Sequence, residues 1–459
     1  MDTWEQTLSA GPLLAIAAAG IALILLLIIK FKLHAFITLV LVSILTAFVT
    51  GIPLDSIYDV VMAGFSSTLG NVGILVGLGA MLGKLVEHSG GAQVLADAMI
   101  RRFGEKRAPI ALGAASLLLG FPMFFDAGLV VMLPIVFAVA KRLGGPILLY
   151  AMPAAVAFSV MHVFVPPHPG PVAASTFFGT NLGLLIIVGI LIAVPTFYVT
   201  GYLWGKVCAK KFPFTEIPGA LFSTETEEVK NPPKVGVVIA MLLLPMVLIF
   251  LNTGVDYATK AQMITGTETW AQVFTILGKS GVALLISVLV AIPVLGTRRG
   301  VSGTAMEKLL DSAIGPIASV VFITAAGGMY GGVLRSSGIG DALTEVLSGL
   351  GIPIILAVYL VALVLRVAQG SATVALTTAA GLMAPAVLAG DFSAMQIVAI
   401  TLACAAGSVF ASHVNDSGFW LVGRLFGMDV ATTLKTWTVQ QSLESVMAFV
   451  LAVLVFVIF

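Results

Sequence analysis

The chain runs to 459 residues, 59% hydrophobic and only 10% charged, with a mean hydropathy of +1.10. A soluble domain carries about a quarter charged residues, so the composition excludes one and predicts an all-α polytopic membrane protein. The formal net charge of +1 carries no partner signal, because what counts is where the charges sit, and no nucleic-acid partner is expected.

A helix needs about 20 apolar residues to cross a bilayer. About ten full spans are expected, at 12–29, 34–50, 66–86, 146–165, 182–203, 235–251, 271–295, 314–334, 393–411 and 442–459. Asp2 and Glu5 precede the first run and Lys30 and Lys32 follow it. A cleaved signal peptide has the opposite order, so this run reads as a retained span with its N-terminus outside. The clusters Lys30/Lys32, Arg101/Arg102/Lys106/Arg107, Lys141/Arg142, Lys206/Lys210/Lys211 and Arg298/Arg299 then mark the cytoplasmic side, and the span count leaves the C-terminus outside as well.

Two segments do not fit a pattern of simple crossings. Between Arg107 and Lys141 lie apolar arms of about a dozen residues each, too short to span, with Gly120 to Gly128 between them and basic residues on both flanks. They read as a re-entrant hairpin over 108–140 entering from the cytoplasm. A second short-armed hairpin, 353–388, has the tip Arg366 to Thr373 and enters from outside. Two further segments are broken helices. In 146–180 the run Val163 to Pro171 contains four prolines and His168, and proline removes a backbone donor and clashes with the preceding turn. In 393–430 the run Ser412 to Gly418 is polar and contains glycine. Unpaired backbone at membrane depth is tolerated where it is buried in protein or lines a wet cavity, and paired interruptions point to a transporter's binding site.

The halves also match in sequence. Gly79, Met81, Gly83, Ser89, Gly90 and Leu95 align at one offset with Gly327, Met329, Gly331, Ser337, Gly338 and Leu343. The span count gives the two segments opposite directions, so inverted repeats are expected over 1–205 and 235–459, joined by a polar cytoplasmic linker at 206–234. Cys208 and Cys404 read as free thiols. No nucleotide-binding loop or metal-ligand cluster appears in the sequence, so no metal, cofactor or ATP-driven step is expected.

Ionisable groups at membrane depth are costly and usually functional. Asp126 at the first tip is either a paired or capping carboxylate, or a proton carrier or hydroxyl acceptor. Arg366 presents a planar fork that suits a carboxylate, whether that of Asp126, Asp416 or an organic anion. Gln369, Ser371 and Thr373 surround a glycine and suit a polyhydroxylated ligand, although helix capping also explains such residues. Asn415 and Asp416 are candidates for substrate hydroxyls or a coupling proton. His168 and His413 are candidates too, or neutral core donors. Phe121, Phe124 and Phe125 are expected to pack the first tip against its neighbours.

The runs GSATVA (Gly370 to Ala375), HVND-x-GFW (His413 to Trp420) and VPPHPGPVAA (Val165 to Ala174) resemble the gluconate permease family of GntP type. GAMLGK (Gly79 to Lys84) and FFDAG (Phe124 to Gly128) add to the likeness, and the motifs fall in order along essentially the whole chain. The resemblance implies a proton-driven symporter for sugar acids in the bacterial cytoplasmic (inner) membrane. It also implies kinship with the ion-transporter superfamily, typically homodimers with a fixed scaffold and a moving, hairpin-bearing part. Together these readings predict proton-coupled uptake of gluconate or a relative, a small organic anion, from a site in contact with Asp126, His168, Arg366, Gln369, Ser371, Thr373, His413 and Asn415. Asp126 or Asp416 carries the proton in this reading. The alternatives are a Na⁺-coupled or exchange carrier of other small carboxylates or D-serine and, from another class, an intramembrane enzyme.

Overall fold

The computed structural model describes residues 6–215, 231–260, 262–339, 342, 352–413 and 416–459. Among these residues the chain is helical, without strands. Among the described residues, eight helices are long and apolar enough to cross a membrane: Leu54–His88, Leu148–Phe178, Leu182–Lys211, Val235–Asp256, Ser280–Arg299, Ile317–Ser336, Ala372–Ala389 and Val430–Ile458. This list differs from the ten expected spans in instructive places. Ala372–Ala389, expected as a short hairpin arm, reaches 18 residues. The helices over 34–50 and 393–411 run only 15 and 14 residues, because each ends at a turn that hydropathy does not register. The span expected at 271–295 is divided at Gly278, where a Cβ would lie 2.4 Å from the Leu248 carbonyl oxygen.

In chain order, α1 (Ala10–Ile29) and α2 (Ala35–Val49) pair beside the long α3 (Leu54–His88). An amphipathic α4 (Gly91–Phe103) follows, and a 3₁₀ turn leads into α5 (Ala108–Leu119). A five-residue turn joins α5 to α6 (Phe125–Leu143), which is longer than the expected arm because it starts at the tip and runs on through Lys141 and Arg142. Then come α7 (Leu148–Phe164) and α8 (Pro169–Phe178), and α9 (Leu182–Thr196) continues through a π-helical stretch into α10 (Trp204–Lys211). Much of the expected linker, residues 216–230, lies outside the described residues.

The second half opens with α11 (Val235–Lys260), α12 (Thr269–Leu277), α13 (Ser280–Ala291) and α14 (Gly303–Asp311). It continues with α15 (Ile314–Ser336), α16 (Ile354–Gln369), α17 (Ala372–Ala389) and α18 (Ala394–Gly407). It closes with α19 (Ser417–Leu425), the short α20 (Val430–Thr433) and α21 (Val439–Ile458).

Glycine decides how closely these helices approach, as membrane packing through small residues requires. The largest helix–helix contact joins α3 to α15, and a Cβ on Gly64 would lie 2.5 Å from the Gly328 carbonyl oxygen. The matched glycines of the two halves also do comparable work. A Cβ on Gly83 would lie 2.8 Å from the Pro122 carbonyl at the first tip, and one on Gly331 would lie 3.1 Å from Gly381 Cα on α17. Each glycine-rich helix thus seats the following helix–turn–helix pair. Helix α7 is buried on nearly every side, as its uniform apolarity requires, and it forms the wall against which α5 and α6 pack.

Candidate functional site

Four chain interruptions converge. Helix α6 begins after the Gly120–Phe124 turn, so Asp126 falls in its first turn, where a carboxylate complements the positive end of the helix dipole. Between α7 and α8 the chain leaves helix at Val165, which is extended as a residue before proline should be, and re-enters with Pro169 at the first helical position. Helix α16 stops at Gly370 with φ +80°, a glycine terminator. The Ser371 hydroxyl then accepts from the Val374 N–H and caps α17. The last interruption lies between Gly407 and Ser417, where Asp416 caps α19 by accepting from the Gly418 N–H at 2.9 Å.

Three of these helix starts, at Asp126, Ser371 and Asp416, line one cavity of about 220 Å³. Arg366, Thr373, Ser159, His162, Trp437 and Gln441 complete its polar wall, and Phe124 and Phe125 contribute aromatic faces. Phe125 lies 5.6 Å, centroid to centroid, from Trp437.

The cationic centre is Arg366, with 2% of its side chain exposed. Its Nη2 donates to Asp416 Oδ2 at 2.5 Å and its Nη1 to the Gly370 carbonyl, tying the end of α16 to the start of α19. Its Nε has no hydrogen-bond partner among the described residues. Of the partners the sequence left open for Arg366, the geometry selects Asp416; Asp126 lines the same cavity without pairing to it. Asp416 also accepts from the Ser412 hydroxyl, which in turn accepts from Trp437 Nε1 at 3.1 Å.

The remaining expected residues divide. His168 is buried behind the first turn, its Nε2 donating to the Gly120 carbonyl at 2.7 Å. It therefore braces the tip and does not line the cavity. His413 turns back on its own loop, 2.8 Å from the Ala411 carbonyl oxygen. Gln369 is the last residue of α16, and Asn415 lies outside the described residues. Phe124 packs at 5.7 Å against His168 and 5.8 Å against His162, so the expected packing role of this tip residue is joined by a place on the cavity wall.

Sequence reasoning passed over His162, Ser159, Trp437 and Gln441, all on the wall, and Glu444 behind it. His162 Nε2 stands 3.4 Å from the Thr373 hydroxyl across the junction of α7 and α17. For His162 and Glu444 the signal was available, since each is an ionisable side chain inside an apolar run. Ser159 and Gln441 give no such signal, because a lone neutral polar residue in a helix is unremarkable until its neighbours are known.

The model of the GntP family permeases matches residues 12–458. The chain is 38% identical to the inner membrane permease YgbN of Escherichia coli, covering 97% of this chain and 98% of that protein. It is also 38% identical to the Gnt-II system L-idonate transporter of the same organism (95% and 97% covered). To the gluconate permease of Bacillus subtilis it is 35% identical (94% and 97% covered). Among solved structures it resembles the Alcanivorax borkumensis YdaH transporter with a TM-score of 0.59 over 92% of this chain and 97% of that one, at 16% identity, which is a likeness of fold. The relatives are permeases and not enzymes, so the intramembrane-hydrolase alternative is set aside. With a whole-length family match, apolar spans and a polar cavity enclosed by helix ends, the chain belongs to the GntP family of permeases.

Proposed function

We propose that this permease carries gluconate or a closely related sugar acid into the bacterial cell across the cytoplasmic membrane, driven by protons. The observation that carries the reading is the cavity itself, where one buried guanidinium, two carboxyl groups and three helix N-termini meet. Helix N-termini attract anions through their unpaired N–H groups and dipole, and a guanidinium fork matches a carboxylate. The carboxylate of the sugar acid would pair with the guanidinium of Arg366, which lines the cavity and whose buried Nε has no hydrogen-bond partner among the described residues. Its hydroxyls would be read by Ser371 and Thr373, which line the cavity, with Gln369 and Asn415 as the further contacts that the sequence proposes. Asp126 or Asp416 would take the coupling proton, because protonating Asp416 releases Arg366 to the incoming anion.

Re-entrance of the α5–α6 and α16–α17 pairs from opposite faces, inverted repeats and a homodimer with both termini outside belong to the same proposal. The matched glycines Gly83 and Gly331, each seating one of those pairs, support it. Alternating access would move the two helix–turn–helix pairs and the broken helices together past α1–α3, α11–α13 and α15.

The test is uptake of labelled gluconate into proteoliposomes of the purified protein under an imposed pH gradient. Concentrative uptake abolished by a proton uncoupler is expected. Uptake that depends on sodium and ignores the pH gradient would make it a sodium-coupled carrier, and recovery of a chemically altered substrate would refute transport as the activity.

A further inference from the structure

Behind the cavity wall lies a polar cluster that the proposed proton carriers do not include. Glu444, one and a half turns into α21, is 0% exposed. Its Oε1 accepts from the Ser159 hydroxyl of α7 at 2.9 Å. Its Oε2 accepts from Gln440 Nε2 at 2.8 Å and from Gln441 Nε2 at 3.1 Å. The amides are themselves held in place: Gln441 Nε2 also lies 3.0 Å from Ser159 Oγ and 2.8 Å from Gln440 Oε1, and Gln440 Nε2 reaches Thr200 at 3.4 Å. Among the described residues no Lys, Arg or His forms an ion pair with Glu444. The charged and titratable groups around it are Arg366 and Tyr359 from α16, with the hydroxyls of Ser159 from α7 and of Thr200 from the π-helical stretch after α9. Tyr359 is engaged with the Ser445 hydroxyl at 3.1 Å, and the Arg366 charge is taken by Asp416.

An ionised carboxyl at this depth is costly unless a cation or a proton accompanies it. Every partner here is neutral, yet Ser159 and Gln441 both also face the cavity. The carboxyl is therefore one side chain away from the substrate's water.

We propose that Glu444 is a proton-binding carboxyl of the transport cycle, loaded from the cavity through the Ser159 hydroxyl, with Gln440 and Gln441 holding it in register. In loading, a hydrated proton entering the cavity from the acidic side passes to Ser159 Oγ as that oxygen's own hydroxyl proton passes to Glu444 Oε1, leaving neutral water in the cavity; release reverses both transfers. No bond other than O–H changes, and the carboxylate goes from one negative charge to neutral. The inference rests on the proton-driven reading above.

The experiment compares, in proteoliposomes, gluconate accumulation under a pH gradient with gradient-free gluconate exchange, together with substrate-induced proton uptake followed by a pH dye. Glu444→Gln keeps the shape and most hydrogen bonds. It is expected to lose gradient-driven accumulation and substrate-induced proton uptake while exchange persists, and Glu444→Asp is expected to recover accumulation. A wild-type protein that ignores the gradient would sink the proton-driven reading itself. A gradient-responsive wild type matched by an equally responsive Glu444→Gln would overturn the role of Glu444 alone, as would accumulation and exchange falling in step. If Glu444→Gln does not reach the membrane folded, Ser159→Ala tests the relay. The ratio of accumulation to exchange should drop, and an unchanged ratio overturns the proposal.

Discussion

Replacing Asp416 by Asn tests the electrostatic core of the site. Asp416 accepts from Arg366, from Ser412 and from the Gly418 N–H. The Asn carbonyl oxygen can keep the Gly418 cap, but its amide then points donor to donor at Arg366 Nη2 and the Ser412 hydroxyl. Arg366 is 2% exposed and retains only the Gly370 carbonyl. Breaking a buried pair by removing one partner costs about 3–5 kcal/mol, which sets the expected loss of stability for Asp416→Asn.

In the proposed mechanism the lost carboxylate is also the substrate's competitor for the guanidinium. A charge-assisted hydrogen bond is worth about 1.5–3 kcal/mol, and each 1.4 kcal/mol is roughly tenfold in affinity. Gluconate should therefore bind Asp416→Asn about ten- to a hundredfold more tightly than wild type, and it should restore much of the lost thermal stability. Concentrative uptake should nevertheless fall, because Arg366 no longer has a protonatable partner to return to. Calorimetric titration of the detergent-solubilised protein, with thermal unfolding in the presence and absence of gluconate, reads both effects. An unchanged gluconate affinity together with a stability loss under about 1 kcal/mol would refute the argument, since it would place the pair in a solvated setting and the anion elsewhere.

The other expectations concern how the site is held. His168→Phe keeps a planar ring but leaves the Gly120 carbonyl without its 2.7 Å donor; an unpaired buried polar group costs about 1–3 kcal/mol, and a lowered unfolding temperature with slower uptake should follow, while wild-type values for both would show that the tip does not depend on this brace. Gly128→Ala would bring a Cβ within 2.2 Å of the Phe158 ring, which is 0% exposed; overpacking costs about 1–3 kcal/mol and displaces the first turn of α6, which carries Asp126 two residues before Gly128, so uptake should fall and Phe158→Leu should restore part of it. Arg366→Gln should weaken gluconate binding about ten- to a hundredfold on the same charge-assisted scale, measured by the same titration; undiminished affinity would remove Arg366 from the binding site.

Much of the architecture follows from local rules. The prolines of 166–171 end α7 and start α8, the φ +80° at Gly370 ends α16, and Asp416 opens α19, each at a position the residue types prescribe. Apolar length located most helices for the same reason, since a helix is the one open structure that satisfies its backbone within lipid. What hydropathy missed is equally physical. Ala372–Ala389 is longer than an arm because Ser371 caps it early and nothing stops it before Gly390, while the turn at Gly278 follows from close backbone contact with α11.

The chain itself thus determined which segments are helical, where four of them are interrupted, and that a few charged residues stand at those interruptions within apolar surroundings. Only the tertiary structure decided which of those residues meet. It gave Arg366 to Asp416, set His168 behind the first turn, and brought α21 against α7 so that Glu444 lies beside Ser159, residues 285 positions apart. Helical rules act over three or four residues and can be read from the local string. Partner choice between distant helices depends on how closely glycines let them approach, a sum over the whole packed assembly that no local pattern encodes.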